Sequence, residues 1–444
     1  MSLLYKTRMG LAIALASGLP LAGWAQDQAA PTETAGAHYQ LSYVGQAKPG
    51  FDAAYSGTNS LEPEREFSNT FSATAYFGFR PWTGGEIYFN PEINQGHAFS
   101  NLSGLGGFTN GELSRTASST PQLYRQRLFL RQTWNQGGPA ERVGSDLNQL
   151  AGFVDTNRLV LTAGNFSVLD VFDSNAYAKD PRTQFMNWGH MTYAAFDYAA
   201  DARGFGWGAA AEWYRGDWVF RVGRMTGPMT PNDLQLDFDI LNHYGDQFEV
   251  EHAHELWGQP GKVRVLGWRD RAVLARYRDA INDGLANART PDILRVRNTE
   301  QFKYGLGVNL EQALATDFGV FLRVMQADGA TETYAFTEAD QSVAAGISLQ
   351  GTAWGRTQDT LGVSLMQNGI SNDRREYLEA GGMSFFIGDG RLQYRPEQIF
   401  EMYYSLSVNT KTFITFDYQR IHNPAYNADR GPVDIGGVRL HTEF

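Results

Sequence analysis

Hydrophobic and polar residues alternate one by one through long stretches of this chain. Phe71, Ala73, Ala75, Phe77 and Phe79 interleave with Ser72, Thr74, Tyr76 and Arg80. Ile87, Phe89 and Ile93 interleave with Glu86, Tyr88, Asn90 and Glu92. Further on, Phe400, Met402, Tyr404, Leu406 and Val408 alternate with Glu401, Tyr403, Ser405 and Ser407. Ile414, Phe416 and Tyr418 then alternate with Thr415, Asp417 and Gln419. A period of two sends successive side chains to opposite faces of a β-strand. Turn signals separate the runs, among them Pro81-Trp82-Thr83-Gly84 and Arg215-Gly216-Asp217. Roughly 16 to 18 such segments of about 9–12 residues recur, the length of a tilted membrane-crossing strand.

The two ends of the chain give this pattern a setting. The last seven residues place Val438, Leu440, Thr442 and Phe444 on one face and Arg439, His441 and Glu443 on the other. A strand with one face in lipid, the other in a polar interior and an aromatic at the carboxyl end suits the last strand of an outer-membrane barrel. At the other end, Lys6 and Arg8 precede an apolar run from Met9 to Leu21, too short to span a bilayer. Gly23 and Ala25 supply small residues before a cut, so residues 1–25 are expected to be a signal peptide. Residues 26–36 are polar and Pro/Ala-rich and are expected to be a loose tail. Residues 37–444 remain as one barrel domain. The expected fold is therefore all-β, an antiparallel up-and-down transmembrane barrel exported through the periplasm to the bacterial outer membrane.

Composition changes this picture little but closes off alternatives. Aromatics make up 13% and the 444 residues include 48 Gly, which suits interfacial girdles and tight turns. Cys is absent, which rules out disulfides and thiolate metal sites. The formal charge is −11, and loss of a signal with two basic and no acidic residues leaves −13. Such an acidic chain does not suit nucleic acid as a partner.

The stretches between strands are uneven. Segments 95–121, 167–191, 227–244 and 282–300 are long and polar or Gly-rich, and long loops belong on the extracellular side. Leu274, Tyr277, Ile281 and Leu285 have helical spacing, which predicts a short loop helix within 270–285.

Turn parity directs Tyr76 and Arg80, then Tyr88, Asn90 and Glu92, to the interior. Leu123, Arg125, Arg127, Phe129, Arg131 and Thr133 share one face of the following strand. An Arg facing lipid at the bilayer midplane costs about 2–4 kcal/mol, so this face is expected to point inward. The result would be a ladder of Arg125, Arg127 and Arg131 beside Glu86 and Glu92. Arginine forks donate, while Glu and Asn accept, so such a wall can hydrogen-bond a polyol at several points. It can equally be ordinary wall chemistry that keeps the interior solvated.

Residues 161–190, LTAGNFSVLDVFDSNAYAKDPRTQFMNWGH, resemble the central signature of the carbohydrate-selective porins of the OprB type. Tyr244–Gln247 with Glu249 and Glu251, Asn309–Ala313, Glu332–Glu338 and Tyr426–Pro432 add matches in the same order. The resemblance spans about residues 37–444. It implies a 16-stranded outer-membrane barrel that passes monosaccharides such as glucose by facilitated diffusion. It also implies a pore narrowed by inward-folded loops bearing arginine and glutamate. Asp180-Pro181-Arg182 lies in a segment long enough to fold inward, so Asp180 and Arg182 join the expected pore lining. The family's frequent Gly-Lys at the start of the signature is Gly164-Asn165 here, without the positive charge. The partners implied are neutral sugars, outer-membrane lipid and, through Phe444, the barrel assembly machinery. A homotrimer is compatible with this reading.

Other chemistry is weakly represented. His252 and His254 share a strand face with Phe248 and Val250 and read as interfacial rather than metal-binding. No motif marks a Ser–His or Asp–His pair, and no phosphate loop follows a strand–helix unit. No cofactor is expected. Two classes stay open: a passive sugar porin, and either an outer-membrane enzyme of the phospholipase or protease kind or a porin for another solute such as an organic acid.

Overall fold

A computed structural model describes residues 32–116, 118–336 and 338–444. The expected signal segment 1–25 and residues 26–31 lie outside the described residues. The alternating runs form strands β1 (Ala35–Lys48), β2 (Glu66–Trp82), β3 (Gly85–His97), β4 (Gln122–Asn135), β5 (Ala140–Val143), β6 (Gly152–Asp155), β7 (Arg158–Phe166), β8 (Gly206–Arg215) and β9 (Trp218–Met225). They continue as β10 (Tyr244–Leu256), β11 (Gln259–Val273), β12 (Glu300–Ala315), β13 (Phe318–Ala327), β14 (Gln341–Gly351), β15 (Arg356–Gly369), β16 (Glu397–Asn409), β17 (Thr412–His422) and β18 (Val433–Glu443). Sixteen of them close one antiparallel barrel, with β1 pairing both β2 and β18; β5 and β6 form a separate two-stranded sheet. Closure satisfies every strand edge, as a sheet in lipid requires.

The outside is apolar and the inside polar. Phe71, Phe77, Phe89, Phe248, Phe416 and Leu440 face outward and are exposed, whereas Ser72, Thr74, Asn90, Glu401, Arg323 and Arg439 are buried inside. This inverts a soluble protein and fits a lipid-facing wall. At the seam, Phe444 and Tyr39 exchange backbone hydrogen bonds of 2.9 and 3.1 Å, so the terminal aromatic sits on the closing strand pair.

One rim carries, apart from the β4–β7 connection, two- to four-residue turns such as Gly216-Asp217, where Gly216 takes a φ of +56° that favours glycine. The other rim carries the long connections. Segment 167–205 folds into the barrel and is pinned from across the wall. Asp173 accepts from Arg323 Nε of β13 at 3.2 Å and, within the segment, from Thr192 Oγ1 at 2.7 Å. Arg439 donates to the carbonyls of Pro181 and Gln184 at 2.6 and 2.8 Å, and Glu401 accepts from the Asn187 amide at 3.1 Å. Phe185, Phe196 and Tyr193 of this segment pack with Phe321, Trp268 and Met325 of the wall. Residues 98–116 also enter, with Glu397 accepting from the Gly106 and Gly107 amides at 2.9 and 2.8 Å.

Three details differ from the sequence expectation. β1 opens at Ala35, inside the expected tail, because Glu33 is already tied to Ala151 through N–H···O and Oε2···H–N bonds of 2.9 and 2.8 Å. Leu274 only ends the strand region, and the helix itself is Tyr277–Ala286, with Tyr277 and Ile281 buried and Leu285 exposed. The β4–β7 connection, on the short-turn rim, is long and was not expected. Its β5–β6 hairpin brackets residues 144–151, which turn back into the barrel against Tyr88, Asn90 and Arg131.

Candidate functional site

A proline decides which arginines of β4 face the interior. Pro91 lies in mid-strand and has no N–H for the ladder, and prolines in sheets are confined to edges and bulges. Opposite it the register slips, so that Asn90 pairs with Arg127 but Pro91 with Arg125, leaving Gln126 as the extra residue. Beyond the bulge the parity flips. Tyr124 and Gln126 turn inward to Glu92, and Arg125 turns outward, where its guanidinium lies 5.1 Å from the Trp207 ring and 3.3 Å from Asn165 Oδ1. The expected three-arginine ladder is therefore corrected: Arg127 and Arg131 face the interior, and Arg125 does not.

Segment 167–205 leaves open space against β1–β4 and β7–β9. On the long-loop side a cavity of about 380 Å³ is lined by Tyr76, Glu92, Tyr124, Gln126, Arg127 and Asp180, among others. On the short-turn side a second cavity of about 430 Å³ is lined by Arg80, Glu86, Arg131 and Tyr214, among others. Leu147, Asn148 and Asp170 line both, and so form the waist between them.

The expected residues fall into three groups. Glu92 and Arg182 meet at 2.8 Å, but both are buried. Glu92 also accepts from Thr74, Tyr124 and Gln126, while Arg182 reaches Glu112 at 2.8 Å, Gln40 at 2.9 Å and Tyr76 at 3.0 Å. This pair clamps segment 167–205 to the wall and has few donors left for a solute. Asp180 shapes the same turn, accepting from the Arg182 amide at 2.8 Å and Thr183 Oγ1 at 3.1 Å.

The second group stands at the waist. Arg127 grips Asp170 through two parallel bonds of 2.8 and 2.7 Å and lies 5.0 Å from the Phe205 ring. Burial works against the charge on Asp170, yet the Arg127 guanidinium and the Ser167 amide hold its carboxyl below the usual range. Asn90 Nδ2 donates to Asn148 Oδ1 at 2.9 Å, and Asn90 Oδ1 is buried without a protein partner.

The third group lies below the waist. Arg80 meets Glu86 at 2.5 Å, Tyr88 OH donates to Glu86 at 2.8 Å, and Arg131 donates to the Asn148 carbonyl at 2.9 Å. The Leu150 amide donates to Tyr88 OH at 3.2 Å, which seats the β5–β6 insertion. Asp170, Asn148, Leu147 and Gln126 were missed. For Gln126 the signal was Pro91; the others depend on which segments fold inward.

Lys179 also lines the upper cavity, donating to the Phe172 and Asp173 carbonyls at 3.1 Å. Burial, with Arg323 adding to it, pulls its ammonium down to about 8 against the pull of Asp173, Asp170 and Glu249. It is thus charged below that pH and neutral above it. Raising the pH from 7 to 9 is expected to shift the reversal potential in a KCl gradient toward cation selectivity, with a midpoint near 8. Lys179→Met should lack this step; an identical step in that variant would refute the assignment.

A family model described as "Carbohydrate-selective porin, OprB family" matches residues 58–444. The high-pH structure of OprB from Pseudomonas putida superposes with a TM-score of 0.69 at 15% identity, covering 92% of this chain and 94% of that one. The outer membrane channel DcaP of Acinetobacter baumannii superposes with a TM-score of 0.50 at 9% identity, covering 92% and 97%. No curated protein matches the chain in sequence.

Proposed function

The chain belongs to the carbohydrate-selective porin family, and from that premise we propose that it carries neutral monosaccharides such as glucose past the waist formed by Arg127, Asp170, Leu147 and Asn148. As a member of this family it is an outer-membrane sugar channel, not an enzyme. The observation that carries the finer reading is the Arg127–Asp170 pair beside the amides of Asn90 and Asn148. Paired charges present donors and acceptors at fixed positions without a net charge. A polyol can exchange its water for these groups, whereas an organic acid finds the Arg127 guanidinium already matched by Asp170. The Phe205 ring adds an apolar face against sugar C–H groups. Binding must be weak, since a tight site would trap the solute and stop flow.

Planar-bilayer recording tests this. Discrete conductance steps that added glucose reduces are the expected result. Arg127→Ala should raise ion conductance, leave Asp170 unpaired and so favour cations, and weaken the block by glucose. Block by a small organic acid with no effect of glucose would overturn the sugar reading.

A further inference from the structure

On the outer wall, three arginines break the apolar surface. Arg224 pairs in register with Asp246, and Asp246 with Arg269, so all three side chains share the outward face with Tyr244 and Arg271. Asp246 draws Arg224 into a two-bond grip of 2.7 and 2.9 Å and accepts from Arg269 Nη2 at 2.7 Å. Arg271 donates to Glu300. Aromatic rings separate the guanidiniums: Tyr244 lies 3.7 Å from that of Arg224, and Phe302 lies 5.7 and 5.8 Å from those of Arg269 and Arg271. Three cations against two carboxylates leave one net positive charge and several free N–H donors. Arg224, Arg269 and Arg271 lie near the ends of β9 and β11, and Tyr244, Asp246, Glu300 and Phe302 at the starts of β10 and β12, all at the long-loop rim, which in an outer-membrane barrel is the extracellular one.

Directly along the same strand faces, toward the membrane centre, lies a groove of about 800 Å³. Phe220, Val222, Phe248 and Val265 wall it, and Ala211 and Gly267 supply its floor. A Cβ at Gly267 would meet nothing nearer than 3.9 Å, so the depression is open. Read along β11, the outward residues run Val265, Gly267, Arg269, Arg271: apolar groove first, cationic cluster last.

We propose that this face binds one phosphorylated glycolipid of the outer leaflet, with an acyl chain in the groove and a phosphate on Arg224, Arg269 and Arg271. The depth fits, because arginine on the lipid face is tolerated near the interface and costly at the midplane. The chemistry fits as well, because guanidinium forks match phosphate oxygens in two-bond geometry. An acyl chain alone would leave the arginines without a role, and a free phosphate would leave the groove without one.

Native mass spectrometry of the detergent-extracted barrel with an added bisphosphorylated, multiply acylated glycolipid tests the proposal. One retained lipid is expected, with weaker retention of the dephosphorylated form. The triple variant R224Q/R269Q/R271Q should lose about a hundredfold in affinity. Because Asp246 is left unpaired there, Arg271→Gln alone serves as a milder test and should lose about fivefold. Gly267→Phe should also weaken retention with every charge in place. Glucose-blocked conductance should stay at the wild-type level in all three, which separates failure here from failure of the transport reading. Equal retention by the R271Q and G267F variants, or equal binding of the dephosphorylated lipid, would overturn it.

Discussion

Arg182→Met is expected to raise single-channel conductance, make it noisy and abolish block by sugar. The Arg182 guanidinium joins two loop segments and three strands: Glu112, Glu92, Gln40, Tyr76 and Thr74 all accept from it. Methionine keeps much of the volume but removes the charge. Glu92, 3% exposed, is then left with the neutral donors Thr74, Tyr124 and Gln126. Breaking a buried ion pair from one side costs about 3–5 kcal/mol, against about 0–1 kcal/mol for an exposed one. The barrel should survive, because Arg323, Glu401 and Arg439 still hold the rest of segment 167–205 from the opposite wall. Strain should therefore be relieved where Arg182 acted, in residues 179–184. Faster hydrogen exchange there, with unchanged exchange in the strands, would accompany the noisy conductance. Arg182→Lys keeps the charge but loses the planar fork and should fall between the two. Wild-type conductance, noise and sugar block in Arg182→Met would show that the clamp does not shape the path.

The barrel was legible because its cause is local. Period-two alternation, turn residues and strand length are properties of neighbouring residues, and the inward and outward faces of β2, β3, β16, β17 and β18 follow from them directly. The site was legible in proportion to how local its causes are. Asn90 and Glu92 face inward as parity requires. Arg125 does not, because a single unpaired residue reverses parity for every position beyond it. Pro91 announced that bulge, but on the partner strand. The waist was illegible for a different reason. Asp170 comes to line the two cavities only because segment 167–205 folds inward, and what pulls it inward are side chains such as Arg323 and Arg439, more than 130 residues from the carbonyls they bond. Backbone acceptors leave no pattern in a sequence. Likewise Glu92 and Arg182 were each expected in the lining, but their contact and their depth of burial, which makes them a clamp, depend on the packing of Glu112 and Tyr76 around them.

Replacing both Leu147 and Asn148 by glycine should give the largest gain in conductance without a change in ion selectivity. These residues form the two-residue tip of a turn in which Asp146 and Gln149 exchange backbone hydrogen bonds of 3.0 Å. Asn148 has a φ of +53°, which glycine adopts more readily, so the turn should persist. The insertion stays seated through Leu150 on Tyr88 and through the β5–β6 register from Ala140–Asp155 to Val143–Gly152. Arg131 keeps its bond to the backbone carbonyl at 148. What disappears are two neutral side chains at the point shared by both cavities. Leu147 and Asn148 are two of the three residues that line both cavities, of about 380 and 430 Å³, so trimming them widens the place where the two meet. Loss of the Asn148 amide also removes one hydrogen-bonding partner for a sugar hydroxyl, worth about 1 kcal/mol, or roughly fivefold in the concentration of glucose needed for block. Because neither residue is charged, the reversal potential in a salt gradient should not move, in contrast to Arg127→Ala. Unchanged conductance and unchanged glucose block in the double glycine variant would place the resistive neck at Arg127 and Asp170 alone.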